Sequence, residues 1–230
     1  MKARSHIPVI MAICLGILSA VQASADSFSN SHSPQISFSH ISTNEGLSQG
    51  TVVSSCQDRF GRMWFATHDG LNMYDGTRFT IYKNVQDDST SLIDNIIRKV
   101  YCDNNGDIWV GTEKGLSYYD NIKDSFRNYP SGERPVTGIS QAENGRLMIA
   151  AGGKIMFFDT ESWSWETERH IGQMESVDAT ILFRQEDNIW IGTRQDGLFC
   201  YSTSTKEFRR ISSYTCNRSI QCIIMPDDHS

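Results

Sequence analysis

From residue 51 onward the apolar residues fall into short runs, and Gly, Asp, Asn and Thr separate the runs at regular intervals. TVVSSCQ at 51–57, RMWFAT at 62–67, GLNMYD at 70–75 and RFTIYK at 78–83 each have the length of a β-strand, with turn composition between them. No stretch carries the 3.6-residue period of an amphipathic helix. The whole pattern then returns. DRFGRMWFATHDGLNMYDGTRF at 58–79 is followed by DNNGDIWVGTEKGLSYYDNIKDSF at 103–126, AENGRLMIAAGGKIMFFDTESWSW at 142–165 and QEDNIWIGTRQDGLFCYSTSTKEF at 185–208. The anchors are Trp64, Trp109, Met148 and Trp190, separated by 45, 39 and 42 residues. Four strands in a period near 42 predict one propeller blade per unit.

Fixed offsets from the anchor give each unit its turns and its packing. Gly61, Gly106 and Gly145 stand three residues before it, and Gly70, Gly115, Gly153 and Gly197 are expected to open the third strand. Glycine at these places supplies the positive φ that tight hairpins demand. Met63-Trp64-Phe65, Ile108-Trp109-Val110 and Ile189-Trp190-Ile191 are apolar without alternation, which a strand tolerates when both of its faces are covered. Ala66, Gly111, Ala150 and Gly192, two residues past the anchor, are small enough to let neighbouring blades approach.

The expected fold is all-β: an incomplete β-propeller of four-stranded antiparallel blades. About four are complete, at roughly 42–84, 91–129, 136–168 and 177–211 within 36–230. ISFSHI at 36–41 has the spacing of a fourth strand, and SIQCIIMPDDHS at 219–230 reads as the first strand of a fifth unit, a partial blade. The expectation is a fragment whose orphan N-terminal strand completes a last blade lying beyond Ser230, closing the ring and removing its sheet edges.

The chain opens with Lys2 and Arg4, an apolar stretch from Ile7 to about Ala20, and Ala23-Ser24-Ala25. This predicts a secretory signal peptide over 1–25, joined by a short linker at 26–35. No second apolar stretch is long enough to span a membrane. Cleavage removes Lys2, Arg4 and no acid, so the net charge moves from −6 to −8, a poor balance for binding nucleic acid. Cys56, Cys102, Cys200, Cys216 and Cys222 remain, an odd count without C-x-x-C spacing. Most sit in strand-like runs, where free Cys behaves as a small hydrophobe, and a bridge involving Cys216 or Cys222 stays open.

The recurring core D-x-x-G-x-x-W-x-[GA]-T-x-x-G-L-x-x-Y-D, carried most fully by the Trp64 and Trp109 units, resembles the two-component regulator propeller repeats. Asp58, Gly61, Trp64, Gly70, Tyr74, Asp103, Gly106, Trp109, Gly115, Tyr119, Trp190 and Gly197 match it as structural repeat positions. The third unit departs with Met148 for Trp and Ala142 for Asp, and the fourth with Asp187 for the turn Gly. The resemblance implies the extracytoplasmic sensor region of a hybrid two-component protein of Bacteroidetes, exported and held at the periplasmic face of the inner membrane. It further implies a homodimeric full-length protein in which a β-sandwich, a membrane span, a histidine kinase and a receiver follow the propeller. The phosphoacceptor His and receiver Asp of such proteins correspond to no residue here.

Candidate chemistry is sparse. Asp103-Asn104-Asn105-Gly106-Asp107 begins like a calcium loop, but Lys114 stands where the EF-hand needs Glu, so a hairpin turn is expected and neither metal nor cofactor. Asp69, Glu113 and Asp196 share one loop position in successive units, as a solvated rim would, so no catalytic pair is assigned and the chain itself is not expected to be an enzyme. The loops after the second strand vary while the turns stay fixed: His68 and Asp69, Glu113 and Lys114, then Arg194, Gln195 and Asp196. A scaffold presenting different side chains at one face has this pattern, which makes these seven the candidate ligand residues and an oligosaccharide the expected ligand. The competing expectation is a non-signalling secreted propeller, either an interaction module or a carbohydrate-active enzyme.

Overall fold

The computed structural model describes residues 40–142, 145–166, 179–211, 219–220 and 223. Every regular element lies in the unit Ile41–Ser230; of the unit Met1–His40 only His40 is described, and it belongs to no regular element. The expected signal peptide at 1–25, linker at 26–35 and strand residues 36–39, with Cys216, Cys222 and most of the expected partial blade 219–230, lie outside the described residues.

The fold is all-β. Sheet one is β1 Val52–Gln57, β2 Met63–Thr67, β3 Gly70–Tyr74 and β4 Phe79–Tyr82. Sheet two is β5 Ile97–Cys102, β6 Ile108–Thr112, β7 Gly115–Asp120 and β8 Ser125–Pro130. Sheet three is β9 Val136–Gln141, β10 Arg146–Ala151, β11 Lys154–Asp159 and β12 Ser164–Trp165, and sheet four is β13 Ala179–Gln185, β14 Asn188–Thr193, β15 Leu198–Ser202 and β16 Phe208–Arg210. In each sheet the strands pair antiparallel in chain order, the meander of a propeller blade. The four sheets do not close into a ring among the described residues.

The turn between the first two strands is built on one carboxylate. Asp58 Oδ1 accepts from the amides of Phe60 (2.9 Å) and Arg62 (3.0 Å), which folds the chain back at Gly61, φ 80°. Its Oδ2 accepts from Trp64 Nε1 at 2.9 Å and from Arg62 Nε at 2.6 Å. Asp103 repeats this with the amides of Asn105 and Asp107 and with Trp109 Nε1 at 2.9 Å. In sheet three both partners change together, to Ala142 and Met148, so neither polar group is left without the other.

Sheet four breaks the pattern differently. Cys56, Tyr101 and Ser140 stand opposite the three earlier anchors, eight residues upstream, but Phe183 opposite Trp190 is seven upstream. The hairpin has lost one residue and closes at the pair Gln185 and Asn188, with the positive φ at Glu186 (51°). Aligning Asp187 with the turn glycine misplaces that turn by one residue. Gly153 and Gly197 likewise stand just before the third strands they were expected to open, since β11 begins at Lys154 and β15 at Leu198.

The first three anchors are knobs into the next sheet. Trp64, fully buried, packs with Val100, Ile108, Tyr119 and Phe126 of sheet two; Trp109 packs with Leu147, Ile149 and Phe158 of sheet three; Met148 packs with Leu182, Ile189 and Ile191 of sheet four. The small residue two positions on is a steric requirement at Gly111, where a Cβ would lie 2.7 Å from both Cγ1 and the carbonyl oxygen of Val136 in the adjacent sheet. β6, covered on both sides, is buried at all five positions, whereas Met63 and Phe65 of sheet one and Trp190 of sheet four are only half-buried on the faces that no described sheet covers.

Candidate functional site

The loop after the second strand of each sheet is tied by backbone hydrogen bonds to the connection that enters or leaves the sheet. Gly70 N donates to Asn95 O (2.8 Å), Glu113 N to Ile96 O (3.2 Å), Ser131 N to Lys114 O (3.2 Å), Gly152 N to Pro135 O (3.1 Å) and Ile220 N to Thr193 O (3.0 Å). These ties set the loops and connections along one edge of the sheet array, and that edge is the candidate ligand face.

A residue type that drew no functional assignment shapes the loops. Thr67, Thr112 and Thr193 are fully buried, and their hydroxyls donate to the carbonyls of Gly70 (2.8 Å), Gly115 (3.0 Å) and Gly197 (2.8 Å). The same hydroxyls accept from the amides of Asp69, Lys114 and Asp196. The signal was present as the Thr of W-x-[GA]-T. Sheet three has Ala151 there and turns on Gly152 and Gly153 alone.

On this frame His68, Lys114, Arg194 and Gln195 are exposed, while Asp69, Glu113 and Asp196 are half-buried. Asp69 pairs with Lys83 at 2.7 Å, Glu113 with Arg98, and Lys114 with Asp94 at 4.0 Å. Each pair joins a loop to its own sheet or to the adjoining connection. Pairs this exposed contribute little, about 0–1 kcal/mol, and a polar ligand can replace them.

The opposite edge, with the remaining turns, is structural. Asp75, Asp120 and Asp159 each accept two backbone amides of their own turn, from Thr77 and Arg78, Ile122 and Lys123, and Glu161 and Ser162. Asp103 and Asp107 close the calcium-like loop by serving its own backbone, at Asp103 Oδ1 and at the Asp107 carbonyl. Among the described residues no group of three or more His, Cys, Asp or Glu is arranged to hold a metal ion. Burial pushes the Cys56 thiol up to about 12, with the neighbouring Cys102 and Asp58 adding to it, so it is a poor nucleophile.

The family described as two component regulator propeller matches residues 46–69 and 91–114, which are the starts of the first two sheets and their varied loops. The histidine kinase P4 of Formosa agariphila is 50% identical over 48 residues, 21% of this chain and 4% of that protein. The extracellular domain of a hybrid two component system from B. thetaiotaomicron superposes with a TM-score of 0.63 at 26% identity, over 75% of this chain and 26% of that one. A second such extracellular domain from B. thetaiotaomicron gives 0.58 at 20% identity over 70% of this chain and 25% of that one, a likeness of fold. The chain thus spans about a quarter of these two extracellular domains and a much smaller part of the kinase.

Proposed function

We propose that this chain, which carries two-component regulator propeller repeats, is part of the extracytoplasmic sensor region of a hybrid two-component protein, and that its varied loop face takes up a glycan fragment. The observation that carries the reading is the contrast within each loop. A buried Thr and a glycine hold the backbone in sheets one, two and four, while the side chains between them change from His68 and Asp69 to Glu113 and Lys114 to Arg194, Gln195 and Asp196. Sugars are recognised by planar polar groups on a rigid frame.

Binding would exchange exposed ion pairs such as Asp69 with Lys83 for contacts with ligand hydroxyls. In a homodimeric parent at the inner membrane, a ligand favouring one arrangement of the propellers would shift the population seen by the kinase. A carbohydrate-active enzyme would instead need two carboxylates poised across a glycosidic bond, and Asp69 and Glu113 are each held by a cation in separate loops. Calorimetric titration of the full chain with a panel of oligosaccharides tests the reading: saturable binding that falls on substitution of His68 or Glu113 supports it, and binding confined to proteins refutes it.

A further inference from the structure

The third sheet lacks loop side chains where its neighbours carry theirs, and a cation from elsewhere occupies the space. Gly152, φ 54°, lies under Arg134: a Cβ at Gly152 would meet Cγ, Cβ and Cδ of that arginine at 2.8, 2.9 and 3.2 Å. The stem of Arg134 therefore rests on a bare turn. Its guanidinium reaches Met156, Nη1 to Sδ 4.0 Å, and no carboxylate of the described residues is within ion-pair distance. Arg62 and Arg146, also half-buried, are neutralised by Asp58 and Glu166, whereas Arg184 donates to the Glu186 carbonyl.

The connection 131–135 strings further groups beside it. Its first amide, Ser131 N, is bound to Lys114 O, Ser131 Oγ donates to Arg134 O at 2.5 Å, and Pro135 O accepts from Gly152 N. Lys114 thus stands at one end of the connection. At the other, Lys154 opens β11 opposite Ala151, with no ion pair to a described residue. The nearby carboxylates are Glu113, held by Arg98, Asp94, 4.0 Å from Lys114, and the exposed Glu133. An aromatic seam begins alongside: Trp165 Nε1 donates to Pro130 O at 3.0 Å, and Trp165, Tyr129 and Met156 pack as half-buried members of the cluster between sheets two and three.

We infer that this boundary is an anion subsite of the ligand face, in which Arg134, supported by Lys114 and Lys154, receives the carboxylate or sulfate of an acidic oligosaccharide. The inference rests on the glycan reading above and narrows it. A guanidinium presents two parallel N–H donors that match a carboxylate or sulfate, and an adjoining indole and phenol offer the flat surface a sugar ring stacks on. A half-buried guanidinium with no carboxylate partner among the described residues is open to such an anion.

The test is calorimetry on the full chain with tetragalacturonate, a sulfated tetrasaccharide and neutral mannotetraose, for the wild type, Arg134→Ala, Arg134→Lys and Lys154→Gln, with melting temperatures recorded for each. Expected is binding of at least one acidic probe, weakened about tenfold or more by Arg134→Ala and less by Arg134→Lys, which keeps the charge without the fork. That binding should also fall with added salt. Equal binding of neutral and acidic probes, or acidic binding unmoved in a normally melting Arg134→Ala, overturns the anion subsite and leaves glycan recognition standing. Binding of no oligosaccharide overturns both.

Discussion

Trp109 Nε1 donates to Asp103 Oδ2 at 2.9 Å inside the seam between two sheets, so the residue that starts a hairpin also satisfies the polar end of the side chain that joins that hairpin to its neighbour. The hydrogen bond links turn formation to sheet stacking, and Asp58 and Trp64 repeat it. Asp103→Ala removes three acceptor contacts and strands a buried indole N–H, which should cost about 2–3 kcal/mol. Asp103→Asn, which keeps one acceptor oxygen, should cost less. Urea unfolding midpoints of the two variants check the order.

Trp190 is the contrasting case. Its Nε1 is buried, and among the described residues it has no hydrogen-bond partner, because the shortened hairpin places no carboxylate beside it. Trp109→Phe should therefore lower stability by about 1–2 kcal/mol more than Trp190→Phe, which removes an N–H that has no acceptor among the described residues. Equal losses in chemical denaturation would show that Trp190 has an acceptor after all.

Gly111 tests the close approach of the sheets. A Cβ there would sit 2.7 Å from the Val136 backbone carbonyl, a neighbour that cannot rotate away. Gly111→Ala should lower stability by about 1–3 kcal/mol. Gly50→Ala, where an added Cβ meets nothing within 4 Å, should stay within about 0.5 kcal/mol. A thermal melt of both variants against wild type is sufficient.

Much of this was legible in the sequence because a repeat multiplies weak signals. One Asp or Gly is ambiguous, but Asp58 and Asp103 at the same offset from a Trp name a turn, and Ala66, Gly111, Ala150 and Gly192 name a close contact. What was not legible lay where units change length. The one-residue loss before Trp190 is invisible to an alignment on the anchor, since only pairing shows Phe183 opposite it. The two-residue turn at Gly152 and Gly153 reads as glycine-rich punctuation until Arg134 is found lying across it. The loop face was read as a set of varied residues, but its rigidity comes from the constant Thr67, Thr112 and Thr193 behind them.

Asn128 protects an outer strand. Its Nδ2 donates to Ser91 O (2.8 Å) and Ser89 O (3.1 Å), while Phe126 N donates to Thr90 O at 2.7 Å, so the connection after β4 lies along the free edge of β8. Unpaired strand edges invite association with other chains, and covering them prevents it. Asn128→Ala should release the connection, cost about 1–2 kcal/mol, and speed hydrogen exchange at Phe126 NH while leaving amides of β6 protected. Slow exchange at Phe126 in the variant would mean that the backbone bond alone holds the edge.

Acid should unfold the protein through its turns. Burial alone would raise the pKa of Asp58, but hydrogen bonds from Trp64, Arg62 and two backbone amides outweigh it and hold the carboxyl below its ordinary value. Asp120 follows the same balance, burial opposed by the Lys123 amide, Arg127 and the Ile122 amide. Asp75 and Asp159 are lowered chiefly by hydrogen bonds from their own turns, Thr77 and the Ser162 amide. A carboxyl whose pKa is lower in the folded than in the unfolded state stabilises the fold fully above the unfolded value, near 4, and loses that contribution as pH falls through the folded value. Stability should therefore be flat from neutral pH down to about 5 and fall steeply below about 4. Asp58→Asn, with one titrating group removed, should show a shallower acid limb than wild type even though it is less stable at pH 7. Parallel acid limbs for the two proteins would remove Asp58 from the account and leave Asp75, Asp120 and Asp159 as the source.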